Sequence, residues 1–375
     1  MLKNHQLHDL FSELKDPRQE KHSTRHNLVD ILMLTIIAVI CGADSWVDIE
    51  RFGKAKENWL KSFLELPNGI PSHDTIGNLF SRLSSTQLQS CFLKWVKGLF
   101  DISNGEIIAI DGKTLRRSYD KANNKPAIHM VSAWACENKL VLGQYKTKEK
   151  SNEITAIPEL LKALDLKGNT VTIDAMGCQK GIANQIISQE GDYVFSLKGN
   201  HSNLHEDVKL FIETFKDTDK FNTFKVVDGD HGRVENRKYW ITEDISWLDG
   251  KSNWRGLKSI GMVQSERFVK STNKTQLERR FFISSLPADA KRFAKAVRMH
   301  WSIENSLHWC LDVGFNEDGC RIRKGFSSEN FAVIRHMALN LLKKEITAKV
   351  GIRTKRLNAG WDNKYLAKVL NIKAS

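Results

Sequence analysis

The chain has 375 residues, of which 41% are hydrophobic and 27% charged, as in an ordinary globular protein of two or three domains. Its formal net charge of +13 argues against a surface without partners and favours a polyanion, most often nucleic acid. The six cysteines form no C-x-x-C pair, which argues against a zinc module or a disulfide framework and favours a reducing, cytoplasmic location.

The first part of the chain, residues 1–102, predicts an all-helical N-terminal domain. Its longest apolar run, residues 31–43, is too short to cross a bilayer, and the first residues lack the apolar core of a signal peptide. We therefore expect a buried helix and no membrane contact. Helix–turn–helix units in a basic protein permit a DNA-reading helix, although most such helix pairs simply pack together.

Residues 103–345 predict an α/β fold, with a mixed sheet flanked by helices. A short apolar run rich in β-branched residues ends at Asp111, and the same pattern returns in residues 171–174, which end in Asp174. Gly112 predicts a turn directly after the first carboxylate. Two buried strands that both end in Asp could place two carboxylates side by side at one edge of the sheet.

The segment that follows is longer than a single connection needs. Strand-like runs at about 220–286 predict a β-rich insertion, and residues 289–311 then predict one long helix that bears Glu304. His300 and His308 lie four residues on either side of Glu304 and share its helix face. Residues 346–375 are rich in Lys and Arg and are interpreted as a basic C-terminal tail.

Asp111, Asp174 and Glu304 are the candidate catalytic and metal-ligating residues. Two Mg²⁺ ions about 3.5–4 Å apart, held by carboxylates, can activate a nucleophile and stabilise the leaving oxygen in phosphodiester cleavage. A zinc site with the histidines is an alternative, but H-E-x-x-H is absent and both aspartates would be unexplained. Taken singly, each carboxylate is more simply a turn cap or a solvated group. The repeated strand–Asp pattern in a basic chain favours the metal site, and at least one carboxylate of such a cluster should have a raised pKa without metal.

Three motifs around these carboxylates resemble the DDE transposases of bacterial insertion sequences, in the branch that includes the H-repeat-associated proteins. They are I-A-I-D-G-K-T at Asp111, T-I-D-A-M-G-C-Q at Asp174 and H-W-S-I-E-N-S-L-H-W at Glu304. The resemblance covers about residues 7–345. It also rests on shorter motifs at residues 16–18, 69–75, 148–154, 196–200, 231–235 and 311–318.

The resemblance implies an RNase H-like catalytic domain, a helical accessory domain that binds DNA ends, and a β-rich insertion before the last carboxylate. It implies Mg²⁺-dependent cleavage of DNA at mobile-element ends and strand transfer to target DNA, with Mn²⁺ as a substitute and the three carboxylates as metal ligands. The expected partner is double-stranded DNA, bound by a homo-oligomer in the cytoplasm at the nucleoid. The broader superfamily often has Tyr, Arg and Lys where this chain has Val297, His300 and Leu311. His300 could replace the arginine as a phosphate contact, and the missing lysine leaves a hairpin intermediate an open question.

Basic residues near the carboxylates are expected to hold the DNA backbone. The candidates are Lys113, Arg116, Arg117, Lys198, His231, Arg233, Arg237, His300, Arg321, Arg323 and Lys324. Two rival functions stay open: an RNase H-like nuclease without strand transfer, and a non-catalytic DNA-binding protein derived from a transposase. The intact set of three carboxylates argues against the second, because clustered like charges are costly without a metal.

Overall fold

The computed structural model describes residues 5–18, 25–99, 105–119, 126–147, 153–230, 233–269 and 274–372. The described α-helices are α1 (His5–Ser12), α2 (Leu28–Ile40), α3 (Trp46–Leu60), α4 (His73–Arg82), α5 (Ser85–Leu99), α6 (Glu153–Lys162), α7 (Lys180–Ser188), α8 (Ser202–Phe215), α9 (Ala290–His300), α10 (Ser327–Lys344), α11 (Ile352–Trp361) and α12 (Asn363–Leu370). The described strands are β1 (Ile107–Thr114), β2 (His129–Ala135), β3 (Leu140–Lys146), β4 (Thr170–Ile173), β5 (Asp192–Leu197), β6 (Asn222–Asp230), β7 (Arg233–Thr242), β8 (Ser259–Val269) and β9 (Lys274–Ser284).

These strands form one nine-stranded sheet in the order β3-β2-β1-β4-β5-β9-β8-β7-β6. Strand β4 is parallel to both β1 and β5, and the other neighbours are antiparallel. The sheet is therefore mixed and flanked by helices, as the alternation of strand and helix patterns predicted. The insertion strands β6–β9 lie where the sequence predicted them, and they lengthen the sheet through the pairing of β9 with β5.

Helix α10 packs between the N-terminal helices and the edge strand β3, and it is buried along almost its whole length. Two asparagines fix it. The side chain of Asn340 donates to the carbonyl of Val141 and accepts from its N–H, both at 2.9 Å, as a neighbouring strand would. Asn330 donates to the carbonyls of Phe80 and Leu83 at the end of α4, each at 2.9 Å. The helices of residues 5–99 and the sheet consequently share one apolar core.

The apolar run that predicted a buried helix forms α2, in which nearly every side chain is buried. It packs on α1, α3 and α10. The reason for its burial is that apolar residues cover all its sides, so no face is suited to water. Within the described part of the chain, no helix has the length and apolarity that crossing a membrane requires.

Residues 352–370 form two packed helices, which corrects the interpretation of a basic tail. Lys355 and Arg356 are 7% and 5% exposed. The Lys355 ammonium donates to the carbonyl of Leu342, in the last turn of α10, at 3.0 Å. The Arg356 guanidinium donates to the carbonyls of Val39 and Ala43, in and just after the last turn of α2, at 3.0 and 3.3 Å. Cations stabilise helix C-termini in this way, so these charges join helices instead of facing solvent.

Candidate active site

The two aspartates lie at one edge of the sheet because β1 and β4 are parallel neighbours. Their ladder runs from the pair Ile107–Thr170 to the pair Ile110–Ile173, and Asp111 and Asp174 are the next residues. The parallel ladder thus ends next to both carboxylates, as predicted for neighbouring strands, but only Asp174 follows the end of its strand, because β1 continues beyond Asp111. The predicted turn at Gly112 is wrong, because β1 continues to Thr114 in antiparallel pairing with β2.

Glu304 reaches this edge from a helical segment that is not a plain α-helix. Helix α9 ends at His300, and the chain continues through two π-helical stretches, Glu304–His308 and Cys310–Gly314. The single α-helix predicted for residues 289–311 is therefore interrupted after His300. Widened turns of this kind are rare and occur often at functional sites.

Three side chains lie close together at this edge: Asp111 from the sheet, and Glu304 and His308 from the π-helical stretch. His308 Nδ1 lies 3.4 Å from Glu304 Oε2 and 3.6 Å from Asp111 Oδ2. One ligand atom of each residue lies within 4.8 Å of the other two. His308 is buried, and its Nε2 has no hydrogen-bond partner among the described residues. Sequence reasoning placed His308 four residues from Glu304 on the same helix face and considered it for an alternative zinc site, but it did not assign His308 to the site of the three carboxylates.

Asp174 lines the same cavity as Asp111 and Glu304, a space of about 240 Å³, but it is not part of the three-residue cluster. Its Oδ1 accepts hydrogen bonds from the N–H groups of Met176 and Gly177 at 3.0 and 3.2 Å. The turn after β4 therefore fixes this carboxylate. None of the described residues hydrogen-bonds its Oδ2, so that oxygen is available to a further ligand.

The electrostatics of these carboxylates favour a cation. Burial raises the pKa of Asp111 to about 7; the Glu304 carboxylate adds to the increase and His308 opposes it. Burial also raises the pKa of Asp174. The raised pKa of Asp111, to which Glu304 contributes, agrees with the expectation of a raised pKa in a metal-free cluster. Carboxylate oxygens suit Mg²⁺ and Mn²⁺, and His308 presents its Nδ1 to the carboxylates of both Asp111 and Glu304. The residues present therefore fit a divalent cation.

His300 also lines the cavity, but as a neutral group. Its Nδ1 lies 3.1 Å from Thr172 Oγ1 on β4. Burial lowers its pKa to about 4, so the ring carries no charge near pH 7. The role of a phosphate contact, which the resemblance suggested for His300, stays a prediction, and in the metal-free protein it falls to a neutral ring. A nearby cation that sequence reasoning missed is Arg280 of β9, which lines the cavity and lies 4.5 Å over the ring of Trp301.

Two predicted DNA contacts, Lys113 and Arg237, are instead held by acidic residues. The Lys113 ammonium bonds Glu317 Oε2 at 2.8 Å and also Asp312, and only 12% of the side chain is exposed. Arg237 bonds Asp228 and Glu235 and is 9% exposed. Their charges are paired with carboxylates inside the protein, and their predicted contact with DNA stays a prediction.

Five other predicted DNA contacts lie on two adjoining segments. Arg323 Nε donates to the carbonyl of Arg117 at 2.8 Å, which brings the loop after β1 against the segment before α10. Arg116 Nε lies 3.2 Å from Asp318 Oδ2, and Arg116 stays 79% exposed. We call this surface the basic patch; its members are Arg116, Arg117, Arg321, Arg323 and Lys324.

Three further predicted contacts remain. Lys198 is exposed and borders the cavity. His231 lies outside the described residues, and Arg233 is the first residue of β7. The structure thus brings some of the predicted basic residues together and separates others.

The family of the chain follows from comparison with known proteins. The family model described as "Transposase DDE domain" matches residues 102–341, and the model "DDE_Tnp_1-associated" matches residues 8–96. The chain is 45% identical over 368 residues to "Putative transposase YncI" of Escherichia coli O157:H7, and the aligned region covers 97% of this chain and 94% of that protein. It is 44% identical over 371 residues to "H repeat-associated putative transposase YhhI" of Escherichia coli strain K12, with 97% of each chain covered. The protein belongs to the DDE transposase family, and it is similar to the H-repeat-associated members, as the motifs predicted.

A solved structure with a distant likeness is the piggyBac transposase synaptic complex with hairpin DNA. The TM-score is 0.44 at 12% sequence identity, with 99% of this chain and 81% of that chain covered. This likeness is too distant to support a conclusion.

Proposed function

We propose that the protein is an active transposase that cleaves DNA at the ends of a mobile element and transfers the cleaved strand to target DNA. The observation that carries the proposal is that Asp111, Asp174 and Glu304 line one cavity in a member of the DDE family. The sheet core β3-β2-β1-β4-β5 would be the RNase H-like part of the fold, with β6–β9 as its insertion and the helices of residues 1–102 as the DNA-end-binding part.

The proposal gives a role to each of the three carboxylates and to the groups that contact them. Asp111, Asp174 and Glu304 hold Mg²⁺, or Mn²⁺ as its substitute, and His308 is available as a further donor. When bound, two such ions activate a water or a DNA hydroxyl and stabilise the leaving oxygen. The backbone N–H groups of Met176 and Gly177 orient the Asp174 carboxylate.

Phosphates of the DNA need positive charge around this cavity. Lys198 and Arg280 border the cavity, and charge-assisted hydrogen bonds from such groups are among the stronger contacts to phosphate. The basic patch would extend the phosphate track beyond the cavity. We further propose that the protein acts as a homo-oligomer on double-stranded DNA, in the cytoplasm at the nucleoid. The net charge of +13 supports the choice of partner.

The proposal is tested with purified protein, Mg²⁺ or Mn²⁺, and DNA that carries the ends of the element. Asp111→Asn, Asp174→Asn and Glu304→Gln should each abolish nicking and leave DNA affinity largely unchanged. The matched control is Asp249→Asn, because Asp249 is exposed in a turn after β7 and should be dispensable. Normal nicking by one of the three variants would remove that residue from the site.

The products separate the proposed function from its two rivals. A transposase joins the cleaved 3′ end to a target duplex, whereas a nuclease of the same fold releases free ends only. A DNA-binding protein derived from a transposase gives no metal-dependent nicking at all. Sequencing of the joined products therefore decides among the three.

A further inference from the structure

The loop that follows Asp174 is held by the segment that follows the next strand of the sheet. Strands β4 and β5 are parallel neighbours, and the last pair of their ladder is Ile173–Phe195. Beyond β5 the chain forms one short 3₁₀ turn, Gly199–His201, before α8 begins. Because both segments leave the same edge of the sheet, this turn lies beside the loop after β4.

Two side chains of the 3₁₀ turn hydrogen-bond to the backbone of that loop. Asn200 Nδ2 donates to the carbonyl of Ala175 at 2.7 Å. His201 Nε2 lies 2.6 Å from the carbonyl oxygen of Cys178. A carbonyl oxygen only accepts hydrogen bonds, so this ring nitrogen carries the proton. We call the side chains of Asn200 and His201 the clamp.

The clamp holds the loop on both sides of the groups that orient the second aspartate. Between the carbonyls of Ala175 and Cys178 lie Met176 and Gly177, whose N–H groups donate to Asp174 Oδ1. None of the described residues donates to the other carboxylate oxygen. The orientation of Asp174 therefore depends on this loop, and the loop is fixed by the clamp at each end.

The two members of the clamp differ in their surroundings. The ring of His201 contacts Trp254 edge-on, with 5.2 Å between the ring centroids, and Trp254 is buried in the connection before β8. The β-rich insertion thus supports one member of the clamp. Asn200 is exposed, and its hydrogen bond contributes little to stability because water competes for both groups. Core packing alone does not account for this contact.

We propose that Asn200 and His201 are positioning residues, which hold the Asp174 carboxylate in the orientation that a divalent cation requires. The inference rests on the proposed function. Groups that orient a metal ligand contribute to metal affinity although they do not touch the metal. Lys198 lies two residues before Asn200 and borders the cavity, so one segment supplies a phosphate contact and orients a carboxylate. This gives the motif of residues 196–200 a second role.

The competing explanation is that the clamp only stabilises the loop. Mn²⁺ binding to the full-length protein without DNA separates the two, measured by calorimetry and by the electron paramagnetic resonance of free Mn²⁺. Asn200→Leu and His201→Phe keep a side chain of similar size and remove the donor, and each should weaken Mn²⁺ binding about tenfold. His201→Gln keeps a donor and should retain most of the affinity. The control is Asn203→Leu, the same substitution at an exposed position in the first turn of α8, which should not alter Mn²⁺ affinity.

A double-mutant cycle tests whether the clamp acts through Asp174. In a protein that already carries Asp174→Asn, Asn200→Leu should weaken Mn²⁺ binding no further, because the ligand that it orients is gone. Nicking of DNA gives a third readout. High Mn²⁺ concentrations should restore nicking to the clamp variants, which keep every ligand, and should not restore it to Asp174→Asn.

The outcomes are distinguishable. If the clamp variants lower the Tm of the metal-free protein but leave Mn²⁺ affinity unchanged, the clamp is structural and the inference is overturned. An equal effect of Asn200→Leu with and without Asp174→Asn would also overturn it, because the clamp would then act on another group. If Asp174→Asn weakens Mn²⁺ binding and the clamp variants do not, only this inference fails. If the unmodified protein binds no Mn²⁺, the proposed metal site fails together with it.

Discussion

Ile110 and Ile173 form the last residue pair of the parallel ladder between β1 and β4, and the residue that follows each of them is an aspartate. The separation of the two carboxylates is therefore set by backbone hydrogen bonds between buried strands, about 4.8 Å apart. Glu304 has no such constraint, because it enters from a π-helical stretch. The sheet thus fixes two acidic residues, and the third depends on how that stretch is held.

Lys113 is the residue that joins β1 to the segment after Glu304. Lys113→Met would remove the ammonium that bonds Asp312 and Glu317, and removal of one partner from a buried ion pair costs about 3–5 kcal/mol. We expect a loss of that size in the free energy of unfolding, measured by urea denaturation. Lys167→Met is the control, because the side chains of Lys167 and its partner Glu190 are 69% and 66% exposed, and should cost less than about 1 kcal/mol. Unchanged stability with weaker DNA binding would restore Lys113 as a DNA contact.

The basic patch should determine part of the salt dependence of DNA binding. Arg117 and Arg321 are exposed, so the double variant Arg117→Ala/Arg321→Ala should fold normally. Each lost phosphate contact reduces the slope of log K against log salt by about 0.9, and two contacts reduce it by about twice that amount. Fluorescence anisotropy over a series of salt concentrations measures the slope. Lys251→Ala, in the turn after β7, serves as the control; an equal slope in all three proteins would exclude the patch from the DNA contact.

Arg356 should be essential to stability although it lies in a segment that looks like a basic tail. Arg356→Met removes the hydrogen bonds to the carbonyls of Val39, Ala43 and Gly314, and each buried group left unsatisfied costs about 1–3 kcal/mol. We expect a marked fall in Tm, whereas Arg353→Met on the exposed side of the same helix should change it little. Deletion of residues 346–375 should prevent cooperative unfolding. A stable protein after that deletion would show that the two helices are dispensable.

Glu345 should contribute to acid sensitivity. Its burial opposes ionisation, but the hydroxyl and N–H of Thr347 and the hydroxyl of Tyr365 donate to its carboxylate and lower its pKa from the usual 4.5 to about 2. Because the folded-state pKa is lowered, the stabilisation is complete above about pH 4.5 and is lost as the pH falls towards 2. The difference in unfolding free energy between the unmodified protein and Glu345→Gln should shrink over this range in urea titrations. A constant difference would mean that ionisation of Glu345 has no role.

The positions of Asp111 and Asp174 were predictable because the signal is local. A run of apolar, β-branched residues that ends in Asp specifies a buried strand and the residue at its end, and parallel pairing then follows from the strand–helix alternation. The turn at Gly112 was mispredicted because the requirement for a glycine comes from Glu153 and His129, on other elements, whose side chains fill the space that a Cβ at Gly112 would occupy. The residues next to Gly112 do not distinguish a glycine in a strand from a glycine in a turn.

Which basic residues are buried in ion pairs and which stay at the surface could not be predicted, because this depends on partners that are distant in the sequence. Asp312 and Glu317 neutralise Lys113 from about 200 positions further along the chain. Arg323 and Arg117 meet across a similar separation and stay near the surface. Nothing in the residues next to Lys113 or Arg117 distinguishes these outcomes. Likewise, the spacing of Glu304 and His308 is compatible with either an α-helix or a π-helical stretch.

The central position of α10 has a consequence for synthesis of the protein. The first five helices leave the ribosome before residues 327–344 have been translated, so the surfaces of α2, α4 and α5 that pack on α10 have no partner for most of translation. These helices can complete their packing only when the last part of the chain emerges, and chaperones would be needed to shield them until then. A gene interrupted before α10 would consequently encode N-terminal helices that lack the helix on which they pack.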